Sequence, residues 1–285
     1  MIGGGSKVMD GSDGNRIYLA DASPDGTSLW SEVDSALDQG CQVWLRSPLL
    51  EALTEVLGKE SDGCSWLVIN ARKERGPSSL ARLRDIVLSS VSLLLLSPLL
   101  LLIAVLVRAS SCGSVFFSTT VVGKERNPFT WRKFRSMRVV PEADDVERRR
   151  ARFQSYVEGN NPSDAADVPK KVIETSRVTP VGRFIRKFSI DELPQLWNVL
   201  RGEMSLVGPR PCLPYEADFY TGWRDQRFSV KPGLTGVWQV FGRGRVGFDE
   251  SAAMDVFYVY RRSLGFDLYL IYKTIGVVLS GRGAL

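Results

Sequence analysis

A mixed α/β fold carrying one helix of membrane length is what this chain of 285 residues predicts, on three observations. Between Arg16 and Arg72, short β-prone runs alternate with helical periods. From Ile86 to Val107 the chain runs for 22 residues without a formal charge, long enough to cross a bilayer core as a helix. Beyond that, β-prone segments, charged helical stretches and Gly/Pro turns mingle to the C-terminus, and an apolar fraction of 44% is enough to give them a core.

The opening MIGGGSK is glycine-rich, so residues 1–15 are expected to be a flexible tail or a cloning remnant. Over 16–72, IYLADA, CQVWLR and SWLVINA read as strands, and Ser28 to Gln39 and LLEALTEVL as helices. That order predicts a small βαβαβ unit with a parallel sheet, Ser47-Pro48 opening its second helix and Gly58 closing it. No G-x-G-x-x-G follows its first strand, so packing or regulation is a better expectation for this unit than a nucleotide site. A basic Gly/Pro/Ser linker, 73–79, leads to the membrane segment at 80–110 and then to 111–285.

Ser97-Pro98 lies in the middle of the apolar segment, where proline removes a backbone hydrogen bond and kinks or breaks a helix. Either a kinked helix spans the bilayer, or the chain turns at Ser97-Pro98 and leaves on the side it entered, the serine hydroxyl covering a freed carbonyl. Arg82 and Arg84 precede the segment, and Arg108, Lys124, Arg126, Arg132, Lys133 and Arg135 follow it. Positive charge at both ends makes both flanks look cytoplasmic.

Gly113 to Phe117 reads as a β-prone exit from the interface, and Lys133-Phe134-Arg135-Ser136-Met137 as a strand end with solvated charges. Glu142 to Val157 reads as a charged helix with a solvated face. VTPVGRFIRKF, 178–188, sets Phe184, Ile185 and Phe188 beside Arg183, Arg186 and Lys187, a pattern that suits either the headgroup layer or core packing. Tyr215 to Arg227 reads as an acidic, aromatic helix, with Glu216 in reach of the proline turn before it, and Phe266 to Leu279 as a helix against the membrane or the core.

Net charge of +5 points to anionic partners: nucleic acid, anionic lipid or phosphorylated substrates. The chain has no histidine, which excludes Ser-His-Asp and Cys-His hydrolases and every His-ligated metal site. Cys41, Cys64, Cys112 and Cys212 form no C-x-x-C pair and read as reduced structural thiols. Any chemistry therefore rests on carboxylates, Lys, Arg, Ser or Tyr.

Ser189 to Pro211, SIDELPQLWNVLRGEMSLVGPRP, concentrates such groups. Ser189 and Glu192 have the spacing of a capping box, which leaves Asp191 unassigned in a first turn that favours negative charge and phosphate. Arg201-Gly202 ends the helix. Gly208-Pro209-Arg210-Pro211 then makes a stiff turn in which a guanidinium can grip phosphate bidentately. Downstream, Lys231 to Gly236 is a turn of close backbone approach, Gln239 to Arg245 a Gly/Arg loop that offers Arg243 as a diphosphate ligand, and Asp255 either a helix-surface acid or a metal ligand.

SIDELPQLWNVLRGEMSLVGPRP, KFRSM, Arg82-x-x-Asp85 and Ser97-Pro98 together resemble the signature of the bacterial sugar transferases, the monotopic polyprenyl-phosphate phosphoglycosyl transferases, from about Leu80 to the C-terminus. The resemblance implies a mixed α+β catalytic domain, with a re-entrant membrane helix broken at Ser97-Pro98 and preceded by Arg82 and Asp85. It places the catalytic domain on the cytoplasmic face of the bacterial inner membrane. It further implies that Asp191 attacks the β-phosphate of a UDP-sugar, without any histidine, to form an aspartyl phosphosugar and release UMP, after which undecaprenyl or another polyprenyl phosphate takes the phosphosugar. Mg²⁺ on Glu192 and diphosphate oxygens is the expected cofactor. Arg210, Arg243 and Arg186 would hold phosphoryl oxygens, Pro209 and Pro211 would stiffen the turn, and Lys133 and Arg135 would face substrate or lipid phosphate. Glucose or galactose is the expected sugar, membrane lipid a partner, nucleic acid not, and a homodimer stays open. Thr119 and Val121 stand where the family usually has Gln and Arg, so contacts by those side chains are missing. The rivals are a glycosyltransferase that leaves UDP and a membrane-anchored scaffold for anionic lipid.

Overall fold

The computed structural model describes residues 7–10, 16–21, 33, 35–36, 42–46, 67–69, 79–139, 143–158, 177–242 and 246–280. Four strands, β1 (Lys7–Asp10), β2 (Arg16–Asp21), β3 (Gln42–Arg46) and β4 (Leu67–Ile69), form one sheet in that order. β2 and β3 run parallel, Tyr18 opposite Val43, and the described residues between them, Val33, Ser35 and Ala36, are helical. β3 and β4 run antiparallel, Val43 opposite Ile69, which corrects the expected all-parallel sheet. Apolar alternation marks a strand and its faces but is blind to strand direction, which follows from the path of the connection. The opening tail is corrected too: Lys7–Asp10 pairs antiparallel with β2 through its backbone, an interaction that asks little of side chains. LLEALTEVL and most of the linker lie outside the described residues.

Helix α1 (Ser79–Ser110) has 32 residues and, among the described residues, is the one helix long and apolar enough to cross a membrane. Leu94, Leu95 and Leu101 on it are exposed. The helix runs unbroken through Ser97-Pro98, where a break was expected. Pro98 has no N–H to give the carbonyl of Leu94, four residues back, and Ser97 Oγ donates to that same oxygen at 2.7 Å. The orphaned acceptor is satisfied, and the helix continues.

The same body holds α1 near both of its ends. Arg82 donates to the carbonyls of Val199 and Leu200 at 2.6 and 2.7 Å, and Asp85 accepts from Ser205 Oγ at 2.7 Å and from the Leu206 N–H at 3.3 Å. Toward the other end, Ile103 and Val107 are buried with Phe134 and Ile185.

Strands β5 (Phe116–Val122) and β6 (Pro128–Phe134) form an antiparallel hairpin. Glu125 and Arg126 at its tip have φ of 55° and 58°, a region that favours glycine. Arg126 is held there by the Tyr220 carbonyl at 2.8 Å and Asp225 at 2.7 Å. Helix α2 (Ala143–Val157) packs Phe153 against Tyr215, Phe219 and Phe248. Helix α3 (Pro180–Lys187) starts where Thr179 caps the Gly182 N–H at 2.9 Å and Pro180 takes the first helical position. A 3₁₀ turn, Ile190–Gln195, runs into α4 (Leu196–Arg201), which Gly202 closes at φ 80°.

Strand β7 (Ser205–Val207) pairs in parallel with β8 (Gly233–Thr235). Between them lie α5 (Pro214–Ala217) and a 3₁₀ segment, Gly222–Ser229, in place of the single helix expected over Tyr215 to Arg227. Gly222 at φ 58° interrupts that helix. Helix α6 (Phe248–Arg261) is the centre of the core, Ala252, Met254, Val256 and Phe257 being fully or almost fully buried, and α7 (Leu264–Ser280) follows it. Val33, Ala36 and Val43 from the N-terminal part belong to the same apolar cluster.

Candidate active site

Asp191 and Glu192 sit in the 3₁₀ turn, directly after α3. The capping box expected there is absent: Ser189 has φ 52° and makes no side-chain cap, although the Glu192 N–H reaches its carbonyl at 3.1 Å. A capping residue needs extended backbone, and the tight passage from α3 leaves Ser189 left-handed. Helix α4 is six residues long, so its dipole adds little, and side-chain cations supply the positive field instead.

Those cations converge from three elements. Lys133 on β6 donates to Glu192 Oε1 at 3.3 Å and lies 3.7 Å from the centre of the Trp131 ring. Trp131 and Lys133 are two apart on one strand, hence on one face. Arg186 comes from the last turn of α3. Arg210 comes from the proline turn, 6.0 Å from the Trp131 ring and 5.6 Å from that of Trp238.

Charges in this cluster feel one another. Asp191 is 8% exposed, and burial, then the neighbouring Glu192, push its carboxyl up to about 6, with Lys133 and Arg186 pulling the other way. Burial also pushes the Lys133 ammonium down; Glu192 opposes this, while Arg210 adds to it. Arg186 is pushed down by burial as well, opposed by Asp191 and Glu192 and reinforced by Arg210. Three cations beside two carboxylates leave positive charge over, which an anion would satisfy.

Arg210 is fixed through its backbone. The Gly208 N–H donates to Thr235 O at 2.9 Å, Pro209 O accepts from Gly233 at 2.8 Å, and Cys212 O accepts from Val122 at 2.8 Å. Gly208 and Gly233 lie backbone against backbone, with no room for a Cβ on either. Arg227 Nη2 donates to the Arg210 carbonyl at 2.7 Å and, at the same distance, to Asp255 Oδ2. Asp255 is therefore not a surface acid, and among the described residues it belongs to no group of three or more acids or thiols; it is buried with Arg227, and burial pushes it up to about 6 against that partner's pull. It reads as a surface position only if α6 is assumed to have a wet face, and Ser251 to Val259 are all buried.

The profile of the bacterial sugar transferase family matches residues 77–281. This chain belongs to the bacterial sugar transferase family. It is 41% identical over 202 residues to the exopolysaccharide production protein ExoY of Rhizobium meliloti, covering 70% of this chain and 85% of the relative. It is 39% identical over 217 residues to the undecaprenyl-phosphate galactose phosphotransferase of Salmonella typhimurium, covering 75% and 44%. With the UDP-glucose:undecaprenyl-phosphate glucose-1-phosphate transferase of Klebsiella pneumoniae it shares 33% over 280 residues, covering 92% and 54%. It thus spans about half the length of these last two relatives.

In this sugar transferase, Arg135 does not join the cluster. Its guanidinium donates to Cys112 O at 2.7 Å and Ser111 O at 2.6 Å, closing the end of α1. Arg243 lies outside the described residues. Pro209 and Pro211 flank Arg210 as the sequence requires, and Arg82 and Asp85 bind α4 and β7. Trp131, Trp238 and Arg227 escaped the sequence reading. Strand alternation from Lys133 could have found Trp131; nothing local marks the other two. As for Mg²⁺, no cluster of three or more acids, thiols or imidazoles occurs among the described residues. Two adjacent carboxylates still fit an ion that draws its remaining oxygens from a diphosphate and water.

Proposed function

We propose that this sugar transferase moves a sugar 1-phosphate from a UDP-sugar to polyprenyl phosphate, undecaprenyl phosphate in a bacterial membrane, and releases UMP. The observation that carries this reading is a buried carboxylate, Asp191, set among Lys133, Arg186 and Arg210 on a body fastened to a membrane-length helix. An Asp191 carboxylate oxygen attacks the β-phosphorus, the bond from that phosphorus to the bridging oxygen breaks, and UMP leaves with the electron pair. A lipid phosphate oxygen then attacks the same phosphorus, the aspartyl–phosphorus bond breaks, and the free carboxylate returns. With a pKa of about 6, Asp191 is ionised at neutral pH and above. Lys133, Arg186 and Arg210 neutralise the phosphoryl oxygens, and Arg210 is already oriented by its pinned turn. Glu192, with Asp191 beside it, would hold Mg²⁺, which when bound screens the diphosphate charge.

Attachment of α1 near both ends to one body supports a re-entrant path, with residues before and after the helix on the cytoplasmic face. Such a path keeps the cluster at headgroup level, where a lipid phosphate resides, and the product would start a polysaccharide or glycoconjugate. Glucose and galactose are the sugars to try first, since relatives carry those names.

Purified protein in detergent, given Mg²⁺, polyprenyl phosphate and a panel of UDP-sugars, should release UMP; release of UDP would instead mark plain glycosyl transfer. With donor but no lipid, mass spectrometry should find a hexose phosphate on the peptide holding Asp191. An unmodified peptide from active enzyme defeats the covalent route. Single cysteines at Ser79 and Val139 should both react with an impermeant reagent from the cytoplasmic side, and labelling from opposite sides would reject the re-entrant path.

A further inference from the structure

Two indoles flank the Arg210 guanidinium, and they are not equivalent. Trp131 is buried, and the Lys133 ammonium covers its ring at 3.7 Å. Trp238 is half-buried and stacks on no other ring among the described residues; Arg210 stands 5.6 Å from its centre, near the outer limit of a cation–π contact. Its Nε1–H is buried without a partner, a donor left over. The ring is also held in place. It opens a single π-helical turn, Trp238–Gly242, in which Phe241 stacks on Tyr269 of α7 with ring centres 6.5 Å apart. Gly242 packs so closely that a Cβ there would lie 3.1 Å from Trp238 Cδ1 and 2.9 Å from Met254 Sδ on α6. We propose that Trp238 is the platform on which the hexose of the donor stacks, and therefore a specificity-determining residue for the transfer.

The inference rests on the proposed attack of Asp191 on the β-phosphorus of a UDP-sugar. In an in-line displacement the entering carboxylate oxygen and the leaving oxygen of UMP stand at the two apices, and the other three oxygens lie around the equator. Two of those are phosphoryl oxygens, which Lys133, Arg186 and Arg210 neutralise, and the third carries the sugar. The hexose therefore leaves the phosphorus alongside the cations. Uracil lies beyond the α-phosphate and the ribose, on the side away from Asp191. Of the two indoles beside Arg210, Trp238 is the one whose ring no ammonium covers. A pyranose carries C–H groups on its faces and hydroxyls around its rim. The negative face of an indole attracts such polarised C–H groups, and the orphan Nε1–H at its edge suits a rim hydroxyl. A platform that cannot swing away discriminates by shape, which a flexible side chain would not do.

The test is calorimetric titration of the full chain in detergent with Mg²⁺, in an Asp191→Asn background so that the donor is not consumed. Trp238→Leu keeps apolar bulk at the position and removes the aromatic face. It should weaken UDP-glucose and UDP-galactose about 3- to 10-fold and leave UDP within about twofold, and Trp238→Phe should recover most of the loss. Equal weakening of UDP and the UDP-hexoses would place Trp238 against uracil or behind Arg210, and unchanged binding of all three would leave it without a ligand; either result overturns the proposal. Should the melting curve show that Trp238→Leu does not fold, Trp238→Met carries the same comparison. If the background protein binds no UDP-hexose, the transfer reading fails and the platform with it. If it binds them and the variants bind them equally well, the platform alone fails.

Discussion

At the start of α1, Arg84, Asp85 and Asp267 sit where every carboxylate oxygen has a partner, whereas around Asp191 three cations meet two acids, Lys133 reaching Glu192 at 3.3 Å, with one positive charge in excess. Asp85 accepts from Arg84, Ser205 and Leu206, and Asp267 from Arg84 and, at 2.8 Å, from Tyr258, whose hydroxyl also lies 3.1 Å from the Val207 carbonyl. The contrast separates two uses of buried charge. A closed cluster locks elements together, here α1 to the strand that leads into the Arg210 turn. An open one, with excess positive charge, is arranged for an anion that comes and goes.

The sharpest way to break the comparison is Asp191→Asn, which should lower turnover by about 10⁴-fold or more, as loss of a covalent nucleophile does. Its effect on stability should have the opposite sign. The folded pKa of about 6 lies above the ordinary 3.8, so the stability linked to this group is fully present below about 3.8 and is lost as pH rises through about 6. At pH 8 the ionised carboxylate costs on the order of 3 kcal/mol. The asparagine variant should melt above the parent at pH 8, and the gap should shrink as pH falls toward 4. A variant that melts lower at pH 8 would show that Asp191 belongs to the closed kind of cluster. For the parent, UMP release should decline as pH drops through 6.

Arg84→Met attacks the closed cluster and should destabilise the fold by about 3–5 kcal/mol, because it strands Asp85 and Asp267 in the interior. Thermal unfolding in detergent measures this, and activity per folded molecule should hardly change. Loss of activity without loss of stability would mean that Arg84 works in the open cluster.

Arg210→Lys should cost about 10²-fold in kcat/KM, since a lysine keeps the charge but loses the forked donors. The melting point should stay within a degree or two of the parent's. A smaller loss would make Arg210 a point charge, no different in kind from Lys133.

Much of this arrangement can be read from the chain, and the rest has physical reasons to be hidden. Asp191, Glu192 and Arg210 share one long motif, and the ends of α3 and α4 are written in Thr179-Pro180 and Gly202. The meeting of β6, α3 and the proline turn is tertiary, so no local period marks it. Strands β7 and β8 have three residues each, too few to show alternation, yet their pairing is what pins the turn. Arg227 and Asp255 look like ordinary surface charges because α5, the 3₁₀ segment and α6 bury them only after folding. Strand direction in the N-terminal sheet is hidden for the same reason.

The smallest effect expected is that of Ser97→Ala. Leu94 O loses the hydroxyl that stands in for the N–H missing at Pro98, and water cannot replace it among exposed leucines. Hydrogen bonds of this kind in membrane helices contribute about 0.6–1.7 kcal/mol, so unfolding in bicelles should shift by about 1 kcal/mol with turnover unchanged. Pro98→Leu in the same background restores an N–H at that carbonyl and should recover the loss. If both variants leave stability unaltered, Ser97 is not what carries the helix through the proline, and the helix must be supported there instead by lipid or by the attachments at Arg82 and Val107.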